Sequence, residues 1–231
     1  MHYAEFKQGD LDLLRTLVRT FPFAVIAVNG PERPLIAQAP LTLRDAAAGS
    51  IAVDFHLART NAIVAAMDDG VPVTIVVNGP SAHISPSWYK ERFPSPAADR
   101  SRTAPTYDYI SVVLTGRVRH LPADGLVEQI ADLVRHHEPA DGWKFEEIDS
   151  DLLRAWCGML IGCRMEIESF DLTAKVSQDK GDGGRSGVVS GLTSRSELQD
   201  VAIARLIADY DGSPQSLSNA MGDLTRRRVR S

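Results

Sequence analysis

The sequence predicts an α+β protein in which an antiparallel sheet or barrel carries helices at its periphery. Three observations lead there. Between residues 23 and 84 short β-rich runs follow one another closely, punctuated by Gly-Pro and Ser-Pro pairs. Only one short helical pattern interrupts those runs, which is too few for alternating βα units. The longer helical patterns fall at the N-terminus and after residue 122, on the flanks of the strand-rich part. With 231 residues, 44% of them hydrophobic, the chain can bury a core without disulfide or metal staples. That length suits one large domain, or one domain with a helical extension.

Taken in order, LDLLRTLVRT (11–20) places Leu11, Leu14, Leu17 and Val18 on one helical face, with Asp10 as N-cap. FAVIAVN (23–29) is β-rich and closes on Gly30-Pro31, and PLIAQAPLTL (34–43) is a second extended run. IAVDFH (51–56) alternates, with Ile51, Val53 and Phe55 on one side and Asp54 and His56 on the other. Residues 58–68 read as a short helix ending near Gly70, before the apolar strand PVTIVVNG (72–79). Residues 90–104 mix Pro, Ser and charge without a period, as a surface loop does. A long strand at 107–121 precedes helices at about 123–137 and 150–158, and LIGCRMEIESFDLTAKVS (160–177) is the next strand candidate. GDGGRSG (181–187) reads as a flexible connector. A last amphipathic helix at about 195–209 would bury Leu198, Val201, Ile203, Leu206 and Ile207.

Composition excludes several classes of function. No run approaches the roughly 18 apolar residues of a membrane span, and MHYAEFKQGD lacks the basic and apolar regions of a secretory signal. The expected location is the cytoplasm, without a membrane partner. Cys157 and Cys163 have neither C-x-x-C nor zinc spacing, so they read as small core residues. The formal charge is −5, and because TRRRVRS (225–231) carries four arginines and no acid, the first 224 residues carry −9. Such a body repels DNA phosphates, and no helix-turn-helix with a basic recognition helix is visible, so direct nucleic-acid binding is not expected. The tail itself reads as a solvated terminus. His136-His137-Glu138 sits at a helix end, where adjacent residues diverge by about 100° and do not converge on one ion. GDGGRSG lacks the setting of a phosphate-binding loop, and no G-x-S-x-G nucleophile elbow occurs.

Three segments hold most of the unusual chemistry. In HLARTN (56–61), His56 leaves a strand while Arg59, Thr60 and Asn61 sit where a helix should start. Exposed N–H groups beside an Arg fork suit a phosphate, although a capped turn with a solvated Arg has the same spelling. In GPSAHISPSWY (79–89), Gly79-Pro80 and Ser85-Pro86 predict turns at both ends of a short extended piece. His83, Ser85, Ser87, Trp88 and Tyr89 then offer hydroxyls beside large rings, which suits either a flat anionic ligand or core anchoring. In APTYDYISV (104–112), Tyr107 and Tyr109 share a strand face with Asp108 opposite, a spacing also used for cross-strand packing.

HLARTN, GPSAHISPSWY, PTYDY followed by a strand ending in Gly116, and AKVSQDK (174–180) resemble, in that order, the motifs of the PaiB family. Its members are described as FMN-binding negative transcriptional regulators with the FMN-binding split-barrel fold. The resemblance runs from the first helix to about Leu192. It implies an antiparallel split β-barrel with peripheral helices over residues 1–192, a C-terminal helix and basic tail over 193–231, and FMN as cofactor. Split-barrel flavoproteins typically bind FMN at a dimer interface, so a homodimer is implied as well. The phosphate would lie near Arg59, Thr60 and Lys175. Ser85 and Ser87 would contact phosphate or ribityl, and Trp88, Tyr107 and Tyr109 the ring or its walls. His56, Asn61, Tyr89, Thr106, Ser177 and Gln178, on the same motifs, complete the expected cofactor site, which includes no catalytic residue and no metal. This chain departs from the family at Asn61-Ala62, where Asn-Pro is usual. It departs again at Tyr107-Asp108, in place of Trp-Asn, and at Val176 and Asp179 of the late motif, where Leu and Asn are usual. Each Asn-to-Asp exchange replaces an amide that can donate by an ionisable acceptor.

Three functional classes follow: a flavin-linked negative transcriptional regulator acting without a DNA-binding motif of its own, a flavin-dependent oxidoreductase on a small molecule, and a cofactor-free interaction protein on the same fold.

Overall fold

A computed structural model of the chain describes residues 4–45 and 50–226. Asp10 starts the first helix: its Oδ1 accepts from the Leu13 amide at 2.7 Å and caps α1 (Leu11–Thr20). α1 buries Leu13, Leu14, Leu17 and Val18, whereas Leu11 stays 40% exposed, so the apolar stripe begins one turn later than its spacing predicts.

Among the described residues there are eight strands: β1 (Lys7–Gln8), which the sequence did not announce, then, in the expected order, β2 (Phe23–Asn29), β3 (Pro34–Pro40), β4 (Thr42–Asp45), β5 (Ile51–Ala58), β6 (Pro72–Ile84), β7 (Thr106–His120) and β8 (Leu160–Lys175). They form one sheet in the order β3-β2-β6-β7-β8-β5-β4, and β1 pairs with β8. β2 pairs antiparallel with β3 and β6, and β5 with β4 and β8. β3 also contacts β5, so the sheet curls back on itself without closing into a ring. The α+β class with an antiparallel sheet is therefore as the sequence predicts. The extended run 34–43 divides at Leu41, where the ladder with β2 ends on the bond from the Leu41 amide to Pro22 O at 2.9 Å and pairing with β5 begins at Thr42.

Four local expectations are corrected. β5 has no solvated polar face. Asp54 is fully buried, held by Arg164 Nε and Nη2 at 2.5 and 2.7 Å and by Arg44 Nε at 2.7 Å. Arg164 is its register partner on β8, and Arg44 comes from β4, so one carboxylate ties three strands. Residues 58–68 form no α-helix. Asn61 Oδ1 accepts from the Ile63 amide at 3.2 Å, a local bond that competes with helix, and only a 3-10 turn at Val64–Ala66 follows. Gly79-Pro80 makes no turn, because β6 runs straight through it. A Cβ at Gly79 would stand 2.6 Å from Ile110 Cγ2, so the glycine serves close strand approach. GDGGRSG is no connector but the start of a helix, Asp182–Arg195.

The helices are α1, α2 (Ala123–His137), α3 (Ser150–Met159), α4 (Asp182–Arg195), α5 (Asp200–Asp209) and α6 (Pro214–Arg226). α5 starts later than its pattern predicts and buries Ile203, Ala204, Leu206 and Ile207, while Leu198 and Val201 are 99% and 61% exposed. Cys163 is buried, with its thiol pushed up to about 12 by burial, but Cys157 is only half-buried rather than core. Residues 227–231, most of the basic tail, lie outside the described residues. Among the described residues no helix is long and apolar enough to cross a membrane.

The chain divides into two compact units. Unit 1 comprises Met1–Thr20, Asn78–Val112 and Asp171–Ser231, and unit 2 comprises Phe21–Val77 and Val113–Phe170. In unit 1, α4, α5 and α6 pack in sequence and α6 lies on α1. In unit 2, α2 packs on β4 and β5, with α3 beside it.

Candidate functional site

Unit 1 holds the residues of the second, third and late motifs. Ser85 ends β6 in an extended conformation, and Pro86 fixes the first residue of the 3-10 turn Pro86–Trp88. Ser85 Oγ accepts from the Ser87 amide at 3.2 Å, and Ser87 Oγ accepts from Arg100 Nη1 at 3.0 Å, so both hydroxyls have partners. The turn presents Trp88 to α4. A Cβ at Gly191 would lie 2.2 Å from the indole Cδ2, and one at Gly187 would lie 2.1 Å from Trp88 O. Gly187, in the stretch expected to be slack, thus lies against the Trp88 backbone, and Gly191 one turn later lies against its ring. Arg195 stands 5.1 Å from the indole centroid, donates to His83 O at 3.0 Å and pairs with Asp200 at 2.6 Å. Trp88 is clamped, which makes it an anchor as much as a wall.

Around the start of β7 the motifs converge. Lys175 Nζ donates to Thr106 Oγ1 and, at 2.9 Å, to Tyr107 O. It also lies 3.7 Å from Asp108. Ser177, in the left-handed region at φ 55, donates to Asp108 Oδ2 at 2.5 Å. Gln178 stitches the turn that makes this possible: its Oε1 accepts from the Val176 amide and its Nε2 donates to Ala174 O, both at 2.7 Å. Gln178 therefore binds its own backbone. Asp108 is buried, and burial pushes its carboxyl up to about 6 against the opposing pull of Ser177 and Lys175. Tyr89, also buried, is pushed up to about 12 by desolvation and then by the charges of Asp108 and Asp179. Tyr107 is 57% exposed and meets His83 edge-on at 5.7 Å, and Tyr109 is half-buried. Asp108, His83 and Arg195 had no place in the expected site. The period of 2 puts Asp108 opposite the tyrosines, but only the fold brings Ser177 and Lys175 onto it.

Unit 2 holds the first motif. His56 Nδ1 bonds to Gln129 Oε1 at 2.7 Å, and the buried Gln129 donates on to Thr42 Oγ1 at 3.2 Å, so His56 docks α2. Thr60 is exposed, and Asn61 is used in its turn. Arg59 is exposed and its Nε donates to Gly158 O at 3.1 Å, which anchors the guanidinium beside the end of α3. There it lines a cavity of about 410 Å³, together with Arg154, His120 and Cys157. Leu121, Leu126 and Ile161 give that cavity an apolar wall. The volume is in the range of small-molecule sites. Gly162 shapes the floor: a Cβ there would press on Leu121 and Leu126 at 3.1 Å, and Gly162 O accepts from the Leu121 amide at 2.8 Å. The two motif groups belong to different units. Among the described residues, no three His, Cys, Asp or Glu side chains gather as ligands for a metal ion.

Residues 1–169 match the family described as "Putative FMN-binding domain". The chain belongs to this family. It is the PaiB-like, FMN-binding family that the motifs resemble, and FMN is the flavin of its domain. An uncharacterized protein of Aspergillus fumigatus is 25% identical over 173 residues, 67% of this chain and 64% of that protein's length. The protein named protease synthase and sporulation protein PAI 2 of Bacillus subtilis is 20% identical over 208 residues, 88% of this chain and 94% of its own. Among solved structures, the FAD and heme binding protein from Mycobacterium smegmatis superposes with a TM-score of 0.56 at 15% identity, covering 80% of each chain. The flavocytochrome Anf3 from Azotobacter vinelandii gives 0.56 at 13%, over 76% of this chain and 72% of that one. These likenesses establish the split-barrel type of fold for this PaiB-like chain.

Proposed function

We propose that the protein is an FMN-binding, redox-linked negative regulator of transcription. It works as a cytoplasmic homodimer and without a DNA-reading element of its own. The observation that carries the reading is the convergence in unit 1. Residues 83, 106–108 and 175–177, distant in sequence and all on family motifs, meet in one network of hydrogen bonds and ring contacts. A bound flavin supplies the redox chemistry, and the chain's residues hold and orient it. Within unit 1, Lys175 braces the start of β7 that presents Tyr107. Ser85 and Ser87 serve the ribityl and phosphate oxygens, and Trp88, Tyr107 and Tyr109 border the ring. The regulatory half of the reading draws on the family's motifs and on the relative named for protease synthesis and sporulation.

The test is titration of the pure protein with FMN, followed by the flavin absorbance. Arg59→Ala should loosen FMN by about 1.5–3 kcal/mol if the guanidinium pairs with the phosphate. Unchanged affinity removes Arg59 from that role. Rapid reduction of the loaded protein by reduced nicotinamide, with turnover on an acceptor, replaces the regulator by an oxidoreductase. Light scattering that returns a monomer removes the dimer.

A further inference from the structure

The cavity of unit 2 has an electrostatic character that the first motif alone does not give. It is lined by Arg59, Arg154 and His120, and no carboxylate lines it. Arg59 spends only Nε, on Gly158 O, and among the described residues no carboxylate pairs with it. Arg154 holds Asp151 at 2.7 Å, but both side chains are more than three-quarters exposed, and such a pair is worth well under about 1 kcal/mol, so a better anion displaces it readily. Two acids stand close by: Asp124 accepts from the Gly125 amide, and Asp69 accepts from the His120 amide with its Oδ1 also 3.8 Å from His120 Nδ1, so neither reaches the guanidinium groups. The first turn of α2 contributes Ala123 to the lining, and its N-cap, Pro122, supplies no side-chain acceptor. The start of a 15-residue helix thus adds its positive end to two guanidinium groups. His120 turns its Nε2 to Met67 O at 2.8 Å.

We propose that this cavity is a phosphomonoester site in which Arg154, one element away from the first motif, is a specificity-determining residue beside Arg59. The apolar wall of Leu121, Leu126 and Ile161 takes the organic part of the ligand. Two sources share this chemistry: the phosphate end of the flavin, in which case the site deepens the FMN reading and rests on it, and a free phosphate ester.

The experiment uses the full chain, the single variants Arg154→Gln and Asp151→Asn, and three probes: inorganic phosphate, FMN and riboflavin. Binding is read by calorimetry, and thermal melting confirms that each variant folds. Phosphate affinity should fall about tenfold in Arg154→Gln and rise about two- to threefold in Asp151→Asn, which frees the guanidinium. If FMN weakens about as much as phosphate while riboflavin is unaffected, the site is the flavin's own phosphate seat. If phosphate weakens and FMN does not, the proposal stands with a free ester as occupant. Equal affinity of wild type and Arg154→Gln for both phosphate and FMN overturns it. A wild-type chain that binds phosphate but no FMN counts against the flavin reading and leaves this one in place.

Discussion

Asp108 is a carboxylate buried among Ser177 and Lys175, and its environment dictates a pH signature. Burial raises its carboxyl to about 6 from the ordinary value near 3.8. A raised acid pKa means the folded state holds its proton more tightly than the unfolded one. The resulting stabilisation is complete below about pH 4 and is lost as pH rises through 6. At about 1.4 kcal/mol per pKa unit the swing is on the order of 3 kcal/mol. Asp108→Asn keeps an acceptor for Ser177 and cannot ionise. Urea unfolding at pH 4 and pH 7.5 should therefore show the variant gaining on the wild type by about 2–3 kcal/mol at the higher pH. Equal pH dependence in both would mean that Asp108 is not the buried acid described. The motif spelling marks Tyr107, Lys175 and Ser177, and strand period 2 puts Asp108 on the opposite face. Neither says that the opposite face is closed, because that depends on a turn seventy residues later with Ser177 in the left-handed region.

Among elements, strands and helices with a clean period were legible to within a residue or two: β2, β7, α2 and α3 match their patterns closely. What failed was glycine. In β6 and α4 the glycines mark close approach rather than a break, and composition alone does not distinguish the two. Gly191→Ala tests this. Alanine is the better helix former by about 1 kcal/mol, but its Cβ would lie 2.2 Å from the Trp88 ring. Overpacking of this kind costs about 1–3 kcal/mol, so the variant should be destabilised in denaturant melts, with a shift in tryptophan emission. An unchanged or higher melting temperature would show that Trp88 is free to move. β5 gives a second test. Asp54→Asn leaves Arg44 and Arg164 facing a neutral amide in a buried position and should cost about 3–5 kcal/mol. Alternation alone does not reveal that α2 packs on β5, or that Arg44 and Arg164 from the flanking strands close on Asp54.

At the scale of the whole molecule, the charge distribution governs encounters. With −9 on residues 1–224, the pure protein should bind duplex DNA no better than the non-specific range of about 10⁻⁴ to 10⁻⁶ M at physiological salt. Fluorescence anisotropy with promoter-length duplexes measures this, and nanomolar, salt-sensitive binding would sink the indirect mode of regulation. The C-terminal helices were only half read. α6 follows Pro214 with Leu217, Ala220 and Met221 at helical spacing, a period passed over in a polar stretch, and it buries all three beside α1 and α5. A chain ended at Leu192 should accordingly lose its cooperative thermal transition, since each large side chain uncovered forfeits about 1.5–3 kcal/mol. The glycine stretch that opens α4 has a practical bearing on anyone handling the protein. It looks like the natural place to cut, to splice in a tag or to graft a partner, and each of those edits would dismantle the seat of Trp88 and, with it, the turn that follows β6.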